Sequence, residues 1–155
     1  MTRRPSVPHA MHHTALLLQL ASTLFMVGLI WFVQVVHYPL FELVGPGFAA
    51  YEQTHANRTG WVVTLPMCLE LATAVWIVFL PSTTLPAWSR WLGLGLVAIV
   101  WASTALLQVP AHGRLAEGFD AAVHARLVAT NWLRTFAWTA RGALVLWWLS
   151  LSWKS

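Results

Sequence analysis

The stretch TALLLQLASTLFMVGLIWFVQVVH, residues 14–37, carries no carboxylate, lysine or arginine along its whole length. A helix needs ~20 mostly apolar residues to cross the hydrocarbon of a bilayer, and this run is long enough. It is continuous and rich in Leu, Ala and Val, whereas a membrane strand alternates over about ten residues, so the helix is the expected form. Its few polar residues recur at helical spacing: Gln19, Thr23, Gln34 and His37 share one stripe with Met26 and Ile30. Polar groups are costly against lipid, so that stripe is expected to face other helices or a cavity. A secretory leader has a short apolar core, whereas the uncharged run after Arg4 continues to Phe41, so this helix is expected to stay in the mature protein.

Three further runs qualify as spans, roughly Thr59–Leu80, Pro86–His112 and Trp132–Trp153. Only 9% of residues are charged against 58% hydrophobic, and soluble domains carry about 25% charged residues. The expected fold is therefore an all-α, four-helix transmembrane bundle, a single membrane domain over residues 14–155, behind a mobile tail at residues 1–13. His9, His12 and His13 fall in that tail and are assigned no role. Both termini then lie on one side. Arg3, Arg4, Arg90 and Lys154, with no acid among them, mark that side as cytoplasmic against Arg58, Arg114 and Arg126 opposite.

Two loops match one another. QVVHYPLFELVGPGFAAYEQTHANRTGW begins at Gln34, and QVPAHGRLAEGFDAAVHARLVATNW begins at Gln108. Each has Gln, then His, then a Gly-Phe pair, then Trp fourteen positions after the glycine, at Gly47 and Trp61 and at Gly118 and Trp132. This suggests two parallel repeats, about 14–80 and 86–153, with His37 facing His112 across a pseudo-twofold axis; chance self-similarity of apolar sequence is the competing explanation. Short amphipathic helices are expected in loops 1 and 3, at Phe48–Asn57 and about Asp120–Thr130, the latter capped by Asp120.

The chemistry gathers at this loop face. His37, His55, His112 and His124 lie there, two per half, with Glu52 and Asp120 beside them. Glu52 and His55 form Glu-x-x-His, which puts both groups on one helical face, as in di-metal carboxylate bundles; Asp120 and His124 offer a similar pairing. His37, Glu52, His55, His112 and His124 are thus candidate ligands for iron or copper, set against histidines that only hydrogen-bond the interface. Haem, held by His37 and His112, is a weaker alternative that needs opposed rings across a gap. Cys68 is the only cysteine, which removes a disulfide or thiolate–zinc site. The scattered basic residues form no stripe for nucleic acid.

Deeper in the spans, Gln108 and His112 share a face of the third helix, and Asn131, Arg134, Trp138 and Arg141 recur along the fourth. Gln34, Gln108 and Arg141 are candidate substrate contacts. Glu70 is the only acid inside a predicted span, with Arg141 or Arg134 as counter-charge, and it reads either as a functional carboxylate or as half of an ion pair that fixes helix order. The eleven tryptophans fit interfacial anchoring and packing.

Val109-Pro110, followed after an amphipathic stretch by Asn131-Trp132-Leu133-Arg134-Thr135, resembles the pattern of the anthrone-oxygenase-like small membrane proteins: Val-Pro-x-Asn, then Asn-x-x-Arg-Thr ahead of the last helix. The likeness covers mainly the second half. It implies a four-span protein with Asn131 and Arg134 as paired polar groups, some relatives being linked to oxidation of polycyclic phenols by dioxygen; His112 stands where the pattern has Asn. The expected function is a membrane oxidoreductase or oxygenase acting on a lipophilic small molecule, with His112, Arg134, Asn131 and Glu70 as catalytic candidates. The alternatives are a non-enzymatic subunit of a homo-oligomer or larger membrane complex, and a small carrier with Glu70 on its path.

Overall fold

The structure, a computed structural model, describes residues 9–81 and 84–153. Helix α1 covers His9–Phe32, α2 Phe48–Phe79, α3 Ala87–Ser103, α4 Val109–Leu115 and α5 Ala121–Ser152. A π turn at Val33–His37 ends α1, and a second at Thr104–Gln108 joins α3 to α4 as one rod. Among the described residues there is no strand, and the chain is an all-α bundle. Helix α1 packs on α2 and α5, and α3 packs on α2 and α5, so α1 lies diagonally across from α3.

Three boundaries differ from expectation. The predicted amphipathic helices at Phe48–Asn57 and Asp120–Thr130 are not separate elements but the first turns of α2 and α5. No Gly or Pro interrupts 48–59 or 121–141, and the Glu52 side chain is buried in the interior, so nothing stops the helix before it enters the next span. At the other end, α1 already begins at His9, so the expected tail at 1–13 is helical from that residue onward; residues 1–8 lie outside the described residues.

The turn into α2 needs its glycine. Gly45 has φ of +74°, a left-handed conformation that side chains with a Cβ rarely adopt, and Pro46 and Gly47 complete a short 3₁₀ turn after it. Asp120 caps α5 as expected, its Oδ1 accepting from the N–H of Ala122 at 2.8 Å and of Val123 at 3.0 Å. Arg90 closes the opposite end of α2, donating to the carbonyls of Val78 and Leu80.

Polarity is turned inward. Gln19, Thr23, Glu70, Gln108, Asn131, Arg134 and Arg141 are buried, while Leu17, Phe25, Phe32, Leu65, Phe79, Leu106 and Phe136 cover the outside. The stretches His13–Leu43, Gly45–Phe79 and Ala87–Leu115 are each long and apolar enough to cross a membrane, which defines an integral membrane protein of the helical class. Helix α5 is 32 residues long but less apolar, because it carries the inward-facing Asn131, Arg134 and Arg141.

Mid-bundle, one carboxylate ties the helices together. Glu70 Oε1 accepts from Arg141 Nε at 2.9 Å and from Thr23 Oγ1 at 2.7 Å, and Oε2 accepts from Trp138 Nε1 at 2.8 Å. Arg141 Nη1 also donates to the Gly93 carbonyl of α3. Gly93 has no room for a larger residue, since a Cβ there would stand 2.8 Å from both Arg141 and Trp148. The pair thus bridges the α2–α5 diagonal and touches all the long helices.

Candidate functional site

Between this brace and the loop face lies a cavity of about 480 Å³. Its walls are apolar, with Met26, Ile30, Val63, Met67 and Trp138 among them. Its polar end is formed by Tyr38, His55, Gln108, His112 and Arg134. An apolar chamber with a few convergent polar groups is the usual form of a small-molecule site.

The two π turns position this end. A π turn adds a residue to a helical turn and is frequent at functional sites. Here Gln34, within the first bulge, and Tyr38, just after it, both face the interior, and Gln108 is buried at the close of the second. Pro110 follows, where its missing N–H costs nothing because it opens a helical segment after the bulge.

A hydrogen-bonded line runs through the site. Gln34 Oε1 accepts from Asn131 Nδ2 at 2.7 Å, and Asn131 Oδ1 accepts from Arg134 Nε at 2.9 Å and Nη2 at 2.5 Å. Arg134 Nη2 also donates to the Tyr38 hydroxyl at 3.2 Å. That oxygen lies 2.9 Å from His112 Nε2, and His112 Nδ1 pairs with Glu52 Oε1. A single set of proton positions satisfies the line: His112 holds its proton on Nδ1 toward the carboxylate, and Tyr38 O–H donates to Nε2 while accepting from Arg134.

Arg134 and Arg141 sit two turns apart on α5 in different electrostatic settings. Arg141 is neutralised by Glu70. Arg134, 8% exposed, bonds only to the neutral oxygens of Asn131, Tyr38 and Thr104, and among the described residues no carboxylate pairs with it. Arginine stays charged in proteins, so one end of an apolar cavity carries a fixed positive charge with one N–H, on Nη1, left over.

The histidines divide. His55 Nδ1 lies 3.0 Å from His37 Nε2 and 3.1 Å from Thr59 Oγ1, and the His55 and His112 rings are 5.5 Å apart. His55 thus stands beside both of the histidines that the internal match pairs. His124 is separate: its Nε2 meets the Tyr38 carbonyl at 2.8 Å and its Nδ1 stands 3.2 Å from Glu42. Asp120 is occupied as the cap of α5 and in a 4.0 Å ion pair with Arg114, so Asp120 and His124 do not form the second pairing expected from their spacing.

Of the other expected site residues, Gln108, His112 and Arg134 line the cavity. Asn131 and Gln34 stand behind Arg134 and hold it, and Glu70 and Arg141 belong to the mid-bundle brace. Tyr38 is the residue that sequence reasoning missed. Its signal is slight, a tyrosine just past His37 at the end of a span, where interfacial tyrosines are common for other reasons.

Fold and site together define a helical integral membrane bundle with a cationic, imidazole-lined cavity near one end. No family model, curated protein or solved structure matches the chain.

Proposed function

We propose that this protein is a membrane-embedded oxidoreductase of the oxygenase type, acting on a lipophilic substrate that carries a phenolic or enolisable oxygen. The observation that carries the reading is the unpaired Arg134 at the polar end of an apolar cavity. A lipophilic ring system fits the Met26, Ile30 and Met67 walls, and its oxygen fits the Arg134 and Tyr38 end. Donors fixed in advance at a developing oxyanion act strongly in a low-dielectric site. The likeness of Asn131, Arg134 and Thr135 to the anthrone-oxygenase-like pattern supports the same class, with oxidation of a ring CH₂ to C=O by dioxygen and release of water.

In this reading all the helical segments serve the bilayer, with α5 as the fourth span and its arginines turned inward. Asn131 is a positioning residue, since it grips Arg134 through two nitrogens. His112 joins the pole to Glu52, its two ring nitrogens lying against the Tyr38 hydroxyl and the Glu52 carboxylate.

The test is dioxygen uptake and quinone absorbance by the purified protein in nanodiscs, with anthrone as probe. Turnover by the wild type, reduced at least ~100-fold in Arg134→Met, is expected from the loss of an oxyanion donor. Wild-type protein that is folded and inert toward polycyclic phenols, and that co-purifies with other membrane subunits, would replace this reading with that of an assembly partner.

A further inference from the structure

The hydrogen-bonded line leaves one atom without a role. Glu52 is wholly buried, its Oε1 is taken by His112, and its Oε2 has no hydrogen-bond partner. A buried carboxylate oxygen without a donor is costly, so native structures rarely keep one without a ligand or a function. Around Glu52 stand two imidazoles: one ligand atom each from Glu52, His55 and His112 lie within 4.8 Å of one another.

We infer that Glu52, His55 and His112 bind a divalent first-row transition-metal ion at the cavity's polar end, with coordination positions left open toward the cavity. Two imidazoles and one carboxylate on one side of an ion are the donor set suited to non-haem iron(II), and the same donors accept cobalt(II) or zinc(II). Ligand atoms about 2.1 Å from an ion stand roughly 3–4 Å apart, so small side-chain rotations close the set. Helix α2 supplies Glu52 and His55 from successive turns, and α4 brings His112 against them.

The surroundings match what a ligating histidine requires. Such rings usually hold a second contact on the far nitrogen, which fixes their orientation. For His112 that contact is Tyr38 at 2.9 Å; for His55, Nδ1 lies near His37 and Thr59, which leaves Nε2 as the nitrogen free to ligate. Both rings line the cavity, so an ion there would meet whatever occupies it. The inference deepens the oxygenase reading, but the site itself rests on donor geometry and not on the substrate.

The test is cobalt(II) titration of metal-stripped protein, purified without a histidine tag, followed by visible absorption and by elemental analysis after desalting. About one ion per chain is expected. Glu52→Gln and His55→Ala, each verified as folded by circular dichroism and gel filtration, should weaken binding at least ~100-fold, while His124→Gln binds as the wild type does. His55 is only partly buried, so its variant tests the site if Glu52→Gln fails to fold. Equal binding by wild type and His55→Ala, or an ion held only by the N-terminal histidines, overturns the inference. Arg134→Met should keep the ion. Bound ion without turnover would sink the oxygenase reading alone, and turnover by ion-free protein would sink the metal alone.

Discussion

At the scale of single residues, the partners of the two arginines explain why helical periodicity located the polar groups but not their roles. Spacing put Asn131, Arg134, Trp138 and Arg141 on one face of the last helix, and all four are buried there. Spacing cannot say which arginine meets Glu70, because that depends on the relative height of α2 and α5, and the Arg141 pairing is visible only in three dimensions. Glu70 and Arg141 are 1% and 0% exposed, so breaking the pair strands a charge in the interior. Arg141→Leu is expected to cost about 3–5 kcal/mol. Glu70→Leu should cost a similar amount, and the double substitution less than the sum, because neither charge is then left alone. Chemical unfolding in detergent, followed by tryptophan fluorescence, measures all three. Additive losses would remove the brace and restore Glu70 as a candidate for function. Tyr38 escaped sequence reasoning for a related reason: a tyrosine at a span's end is ordinary until a buried arginine and histidine are seen on either side of it.

At the scale of elements, the apolar runs fixed where helices form, but their ends follow from capping and packing. Helices α2 and α5 each extend past the membrane-like run because the side chains of Glu52 and His124 are buried by packing against other segments of the bundle, a tertiary effect that hydropathy does not register. Where a local signal was strong, as at Asp120, the boundary was legible. The N–H of Val123, with that of Ala122 and the charge of Arg114, holds the Asp120 carboxyl below its ordinary value. A lowered folded-state value means the cap stabilises the helix above the unfolded pKa of about 3.9 and that this contribution fades as pH falls through the folded value. Asp120→Ala should therefore lower the melting temperature at pH 7 and make little difference in strong acid. Asp120→Asn, which keeps an acceptor, should be milder at neutral pH and insensitive to acid at this position. Identical melting of Asp120→Ala and the wild type across that range would mean that the start of α5 is held by packing on Phe41 and Leu115 instead.

At the scale of the whole molecule, an oily exterior around a polar interior is what a bilayer requires, and it places the site. The brace at Glu70 and Arg141 closes the middle of the bundle, the apolar cluster of Phe41, Phe48, Leu115 and Leu127 closes the loop face, and the cavity lies between them. This arrangement depends on α5 crossing the membrane, although its buried arginines make it less apolar than the other helices. At 1.5 Å per residue, its 32 residues reach about 48 Å, well over the ~30 Å hydrocarbon thickness. A crossing α5 puts Glu117, just before it, and Trp153, at its end, on opposite faces. Single cysteines at these positions in a Cys68→Ser background, treated with a membrane-impermeant maleimide on intact cells, decide the matter. Labelling at Glu117→Cys alone, with Trp153→Cys reacting only after permeabilisation, is the outcome expected for a fourth span with cytoplasmic termini. Labelling of both from one side would leave α5 on the surface, where the charge of Arg134 would face water and the cavity would lose the cationic pole on which the proposed oxygenase chemistry rests.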